Sequence, residues 1–314
     1  MYFPYLRGRQ YELIGVREGL KSGIISNKII PVIEPVKLSS TLLSTMKVAI
    51  EEEKYISIIC NSNILSFSDD FQSTEKEKER NEYLKLLKNK FIIKAFLTKN
   101  DWQEAIDKYR DCLEFSESEE IIICNDANFI NEYEKKYETV QPSYTLIPEE
   151  KRFRRKIKER KILFEDRFIR EDRNSDYLNT EDDFFSEDHL YYEDDGYIGF
   201  SDYVTIGEKY VDGGFAPYAV AIHLTYVDEE DGSIRIRHFV SDSNEDIKDP
   251  AKKFYEALEK LHNFDFSNLS KTKALEIFYD YHRSGSYPGL GTVKKLSLLH
   301  HLELVKNILD SKED

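Results

Sequence analysis

Short, nearly uninterrupted apolar runs alternate along the chain with longer stretches whose apolar residues recur at helical spacing. The runs Tyr2–Leu6, Ile29–Ile33, Tyr55–Cys60, Phe91–Leu97, Glu120–Cys124, Tyr144–Ile147, Lys161–Phe164 and Tyr197–Phe200 read as strands. Between them, Gln10–Lys21 carries Leu13, Val16 and Leu20 on one helical face and stops near Gly23. Thr41–Glu53, Thr74–Lys88, Asp101–Leu113, Phe129–Tyr137 and the basic segment Glu149–Arg160 follow as further crossovers. Strand–helix alternation of this kind predicts a (β/α)8, TIM-barrel-like α/β fold. Continuous apolar strands suit a parallel sheet covered by helices, and an open doubly wound sheet would give the same pattern.

The remainder of the chain has a different rhythm. Pro217–Tyr226 and Ile234–Val240 flank an Asp231-Gly232 turn and predict a β-hairpin. Pro250–Leu261, Lys271–Tyr281 and Val293–Leu309 predict C-terminal helices. This divides the chain into a barrel-like core over 1–204, with an acidic insertion at 167–196, and a hairpin and helical extension over 205–314 packed on the same domain.

Composition narrows the classes. The 314 residues carry 45 Lys and Arg against 60 Asp and Glu, a formal charge of −15. No stretch approaches the roughly 18 apolar residues of a membrane span, and the first residues lack a secretory pattern. The three cysteines cannot build a disulfide framework, which points to a reducing cytoplasm. The acidic balance speaks against non-specific nucleic-acid binding, which depends on neutralising phosphates.

Ligands of parallel α/β folds bind where the strands end. Those ends place Arg7, Arg9, Glu34, Asn61, Thr98, Asn125, Asp126, Glu165, Asp166 and Asp202 as candidates, with Lys94 inside its strand. Glu34, Asp126, Asp166 and Asp202 could hold Mg²⁺ or Mn²⁺ through oxygen ligands and serve as catalytic carboxylates. Arg7, Arg9 and Lys94 would then grip a phosphate. The ordinary alternative is that such residues cap helices or solvate loops. No nucleophile elbow, zinc-protease motif, Walker loop or dinucleotide fingerprint is present. Cys60 and Cys124 read as core residues, and of the adjacent His300 and His301 one is expected packed and the other solvated.

Two charge blocks stand out. Lys151 to Lys161 holds eight basic residues against Glu159 alone, and Glu165 to Asp195 holds 13 acids against 3 arginines. The second block also carries Phe184-Phe185 and Tyr191-Tyr192, so it reads as a segment that orders against a basic surface. That surface would be a partner protein or the basic helix preceding it. Ser284–Thr292 is glycine-rich and leads into Val293-Lys294-Lys295, a candidate anion site with Thr292 as N-cap, although a Gly/Pro turn between two helices with a capping Thr292 is the favoured reading.

Tyr2-Phe-Pro-Tyr-Leu-Arg-Gly-Arg-Gln-Tyr-Glu-Leu13 followed by Ile30-Pro-Val-Ile-Glu-Pro35 resembles a family of functionally uncharacterised bacterial proteins related to the phage beta protein family. Gly199-Phe-Ser-Asp-Tyr203, Pro288–Lys295 and His300-His301 are similar to that family's later segments, whereas Glu171–Asp195 matches none of them. The resemblance implies a barrel-like fold and a setting in mobile elements or phage defence, often beside a nuclease-like gene. The positions that carry it are Arg7, Arg9, Gln10, Glu34, Asp202 and Lys294.

The residues and the resemblance together give two functional expectations. The first is a partner-binding subunit of a bacterial phage-defence or mobile-element system, its partner another protein such as a nuclease encoded nearby. The second is a divalent-metal-dependent hydrolase of a phosphoester or nucleotide, with Gln10 and Lys294 assisting Arg7, Arg9 and Lys94 in holding a phosphorylated small molecule.

Overall fold

The computed structural model describes residues 1–211, 217–264 and 271–312. It contains the strands β1 (Tyr5–Leu6), β2 (Val32–Ile33), β3 (Ile56–Ile59), β4 (Ile92–Leu97), β5 (Glu120–Ile123), β6 (Tyr144–Ile147), β7 (Lys161–Phe164), β8 (Asp182–Ser186), β9 (Gly199–Ser201), β10 (Ala221–Val227) and β11 (Ile234–Val240). The chain divides into two compact units. One comprises 1–165 and 191–202, the other 166–190 and 203–314. The acidic stretch read as an insertion into the barrel is thus shared between them, with 166–190 grouped with the hairpin.

The first unit is an eight-stranded parallel sheet in the order β1-β2-β3-β4-β5-β6-β7-β9, alternating with helices. Registers such as Ile33↔Ile58, Leu97↔Ile123 and Phe164↔Ser201 run in phase through the sheet. The last strand returns to the first. A parallel bridge joins Tyr2 to Phe200, and the amides of Phe3 and Tyr5 donate to the carbonyls of Phe200 and Asp202 at 2.9 and 2.8 Å. The result is a nearly closed, TIM-barrel-like α/β fold, not an open doubly wound sheet. The isoleucine-rich runs are buried on both faces, as parallel strands beneath helices require: Ile56, Ile58, Ile59, Ile121, Ile122 and Ile123 are wholly inaccessible.

Two strands are shorter than their apolar runs. Pro4 and Pro31 have no N–H to give to the ladder, so regular pairing is confined to Tyr5–Leu6 and Val32–Ile33. The stretch before the charged helix is also helical, at Leu65–Gln72. A short 3₁₀ turn, Thr74–Lys76, separates it from the helix Glu77–Leu87. Its burial rests on Phe67 alone, too little periodicity to read from sequence.

In the second unit β10 and β11 form the expected antiparallel hairpin, and β8 adds to it in the order β10-β11-β8. The turn is closed by the Asp228 amide on the Ser233 carbonyl at 2.8 Å, with Gly232 at φ 76°. Helices follow at Pro250–Asn263, Lys273–Ser284 and Leu290–Ser311. Asp249 and Thr272 cap the first two through the amides of Lys252 and Leu275. Among the described residues no helix is long and apolar enough to cross a membrane.

Candidate functional site

The C-terminal ends of β1 to β4 deliver a connected polar group. Arg7 follows β1, Glu34 follows β2, Ser62 and Asn63 follow β3, and Lys99 follows β4. Tyr5 stacks on Phe164 of β7 at 5.3 Å, across the intervening β9, which places the Tyr5 side chain on the inner face of the barrel. Glu34 is fully buried there and is the hub. Its Oε2 accepts from the Tyr5 hydroxyl at 2.8 Å and from Arg7 Nη1. Its Oε1 accepts from the Asn63 amide at 2.8 Å and from Ser62 Oγ at 3.3 Å. Lys99 Nζ donates to the Ser62 carbonyl at 3.1 Å. Burial lowers the pKa of Lys99, and the charge of Glu34 partly restores it. One carboxylate therefore ties three strand ends together.

Glu12, not singled out by the sequence, sits beside this group. It is the third residue of the helix Gln10–Lys21, and the backbone amides of Arg7 and Arg9 face its carboxyl, a capping arrangement. Burial pushes its pKa up to about 6 against the opposing pull of Arg9 and Arg7. Arg9 is the N-cap residue of that helix and Gln10 its exposed first residue.

Within the first unit, the predicted carboxylates Asp202 and Asp126 are not part of the Glu34 network. Along β9 the side chains alternate. A Cβ on Gly199 would point at the Phe3 ring, while Phe200 stacks on Tyr2 at 5.0 Å on the opposite face. Asp202 shares the Phe200 face and accepts from the Tyr2 hydroxyl at 2.7 Å, so it points away from the inner face that holds Glu34. Asp126 is exposed and accepts from the Asn128 amide at 2.9 Å, a local turn. Asp166 belongs to the second unit, where it accepts from the amides of Phe168 and Glu208 at 3.1 and 2.8 Å. Among the described residues, no group of three or more His, Cys, Asp or Glu could hold a metal ion. The four carboxylates proposed for Mg²⁺ or Mn²⁺ thus do not fit that role.

Lys94 lies elsewhere on its strand, beside Glu120 in register, with Nζ 5.0 Å from the centre of the Phe115 ring. Burial lowers its pKa, against Glu119, Cys60 and Glu120. It serves a structural cluster in which Glu120 accepts from Arg110 Nη2 at 2.5 Å and from the Tyr137 hydroxyl. Lys294 is exposed in the first turn of Leu290–Ser311 in the second unit. That helix begins at Leu290 with Gly289 as N-cap, and Thr292 donates back to the Pro288 carbonyl at 3.0 Å. The glycine-rich stretch is therefore a turn, and Thr292 is not its cap.

Cys60 and Cys124 are core residues whose thiols burial pushes up to about 12. Both His300 and His301 are buried, against the expectation of one solvated ring. His300 bridges the Thr225 carbonyl and Thr272 Oγ1 at 2.7 Å each, and His301 Nδ1 meets Thr225 Oγ1 at 3.0 Å. Polar groups on β10 reach both rings, which periodicity along one helix could not reveal.

The charge blocks resolve differently from one another. The acidic segment finds its basic surface inside its own unit, on β11. Asp182 pairs with Arg235 at 2.7 Å and Glu181 with Arg237 at 2.7 Å, while Tyr226 donates to Asp182 at 2.6 Å. The basic segment is not neutralised in this way. Phe153 and Ile157 anchor it in the core, turning Lys151, Arg152, Arg155 and Lys156 outward. Lys156 pairs with Glu134 at 2.5 Å and Arg152 with the Ala127 carbonyl at 3.0 Å. Lys151, Arg155 and Lys158 have no ion-pair partner among the described residues.

The fold and the strand-end network define a TIM-barrel-like α/β protein. Comparison with protein-family models, curated proteins and solved structures yields no match.

Proposed function

We propose that the chain is a partner-binding protein, the recognition subunit of a bacterial phage-defence or mobile-element system. The observation that carries this reading is the segment Lys151–Lys161, in which Lys151, Arg155 and Lys158 have no ion-pair partner among the described residues, in a chain of net charge −15. Exposed like charges on one short helix repel one another, and an acidic partner surface relieves that repulsion. The resemblance of Tyr2–Leu13 and Ile30–Pro35 to the phage beta protein relatives supplies the biological setting. Co-expression with the product of the adjacent gene tests it: a complex that survives gel filtration supports the reading, and separate elution counts against it.

A second reading, binding of a phosphorylated small molecule at the barrel mouth, is favoured by Arg7 and Lys99 flanking one buried carboxylate. Its metal-dependent hydrolytic form loses its footing, because Glu34 is engaged by four donors and no group of three or more His, Cys, Asp or Glu among the described residues could hold a metal ion. A melting temperature raised by inorganic phosphate in the wild type and not in Lys99→Met would support mouth binding.

A further inference from the structure

Among the described residues, burial lowers the pKa of Lys94, Lys99 and Lys161, but of these only Lys99 stands beside the Glu34 network. Lys94 shares its face of β4 with Phe96, whose ring meets Tyr109 of the helix Trp102–Leu113 at 5.9 Å, so it points outward at the helices. Lys161 opens β7, at the end of the strands remote from Glu34. Lys99 stands two residues beyond β4, at the end of the barrel where ligands of this fold bind. Its Nζ donates to the Ser62 carbonyl at 3.1 Å, and Ser62 Oγ donates in turn to Glu34 Oε1 at 3.3 Å and to the Pro35 carbonyl at 3.0 Å. Lys99 has no ion-pair partner among the described residues. The reason lies in Glu34. Its Oε2 already accepts from Tyr5 and Arg7 and its Oε1 from Asn63 and Ser62, which fills the capacity of a carboxylate. The Lys99 amine thus meets one neutral carbonyl, which takes a single N–H, and no carboxylate holds a further proton on it.

We infer that Lys99 is an imine-forming residue and that the barrel mouth takes a small aldehyde or ketone carrying a phosphate. This rests on the mouth-binding reading and adds what the bound molecule contains besides its anionic group. A lysine without a fixed counter-ion and partly withdrawn from water is the form of that side chain that attacks carbonyl carbon at neutral pH. The lowered pKa of Lys99 agrees with this. In the step, the Nζ lone pair adds to the carbonyl carbon and gives a carbinolamine. The former carbonyl oxygen then leaves as water with both amine protons, so that a C=N bond replaces C=O and no other reactant is consumed. The Ser62 carbonyl holds Nζ in place before the attack. Arg7, its side chain 15% exposed and bound to the same carboxylate, supplies the cation for the phosphate.

The test exposes the full chain to glycolaldehyde phosphate or glycolaldehyde, with cyanoborohydride present to reduce any imine to a stable secondary amine. Peptide mass mapping then assigns the adduct to a lysine. In short exposures at neutral pH, Lys99 should carry at least tenfold more adduct than the exposed Lys151 and Lys158. Glycolaldehyde phosphate should label it at least threefold faster than glycolaldehyde, and excess inorganic phosphate should remove that advantage. Labelling of Lys99 should persist to lower pH than labelling of Lys151. Lys99→Met should lose the fast adduct with an unchanged circular dichroism spectrum, and because the site is read in the wild type the result does not depend on that variant folding. Adduct spread over the lysines in proportion to exposure, or concentrated on Lys94, would overturn the inference. A melting temperature raised by inorganic phosphate with Lys99 unlabelled would overturn the imine and leave mouth binding standing. Fast labelling of Lys99 that ignores phosphate, with no phosphate-dependent rise in melting temperature, would overturn the phosphorylated substrate and the mouth-binding reading together.

Discussion

Glu34, fully buried behind β2, accepts a charged hydrogen bond from Arg7, which emerges from the neighbouring β1. The pair is joined by Tyr5, Ser62 and the Asn63 amide, so the carboxylate fastens β1, β2 and the loop after β3. Removing one member of a buried pair leaves the other charged and desolvated. Arg7→Ala should therefore cost about 3–5 kcal/mol in urea unfolding. Asp126→Ala, which loses only an exposed turn bond, should cost less than about 1 kcal/mol. Equal costs would deny Glu34 its role as hub.

Barrel closure depends on Gly199. A Cβ there would lie 2.6 Å from the Met1 carbonyl oxygen and 3.1 Å from Ile162 Cδ1. The first obstacle is backbone, so the strand must shift, and overpacking of this kind typically costs about 1–3 kcal/mol. Gly199→Ala should lower the melting temperature, whereas Gly285→Ala meets no atom within 4 Å and suffers only from its φ of 63°. Hydrogen exchange should show the Phe3 and Phe200 amides losing protection in Gly199→Ala alone.

Acid should unfold the second unit through its histidines. Burial holds His300 and His189 down to about 4, from an ordinary 6.5. His223 and His238, with Nδ1 atoms 2.7 Å apart, are lowered too, chiefly by burial, with Lys294 adding to the effect at His223 and Asp183 opposing it at His238. These groups are neutral when folded, so the unfolded chain binds more protons as pH falls. Their stability is complete above about pH 6.5 and declines toward pH 4, by on the order of 3 kcal/mol for His300. Glu12, raised to about 6, acts oppositely in the first unit and should partly stabilise it over the same range. Tyrosine fluorescence and exchange measured from pH 7.5 to 4.5 should show the second unit loosening first, and a pH-independent stability would contradict this.

Millimolar Mg²⁺ or Mn²⁺ should leave the melting temperature unchanged, since the described residues offer no three-ligand group. A cation-dependent rise abolished by Glu34→Gln would reverse that conclusion.

Much of the barrel was legible because parallel strands buried on both faces read as bare isoleucine runs: Ile56–Ile59 and Ile121–Ile123 announce themselves. Arg7 and Glu34 were legible as strand-end residues for the same reason. The site around them was not. Tyr5 lies within a strand and looks like core, and Lys99 stands two places beyond β4, where solvated lysines are common. The error over Asp202 was one of facing. A strand end gives position along the barrel, but the single-residue alternation that turns Asp202 away from Glu34 depends on the Gly199 packing against Phe3. The partner of the acidic segment was also out of reach, because Asp182 meets Arg235 across 53 residues through a strand added to a hairpin.

The central claim, that a partner is held by the basic segment, is tested most directly by hydrogen exchange on the chain alone and in complex with the co-expressed neighbouring gene product. Protection should rise in the peptides covering 151–161. Protection confined instead to 7–12, 34–38 and 62–66 would place the partner at the opposite end of the barrel and contradict the account.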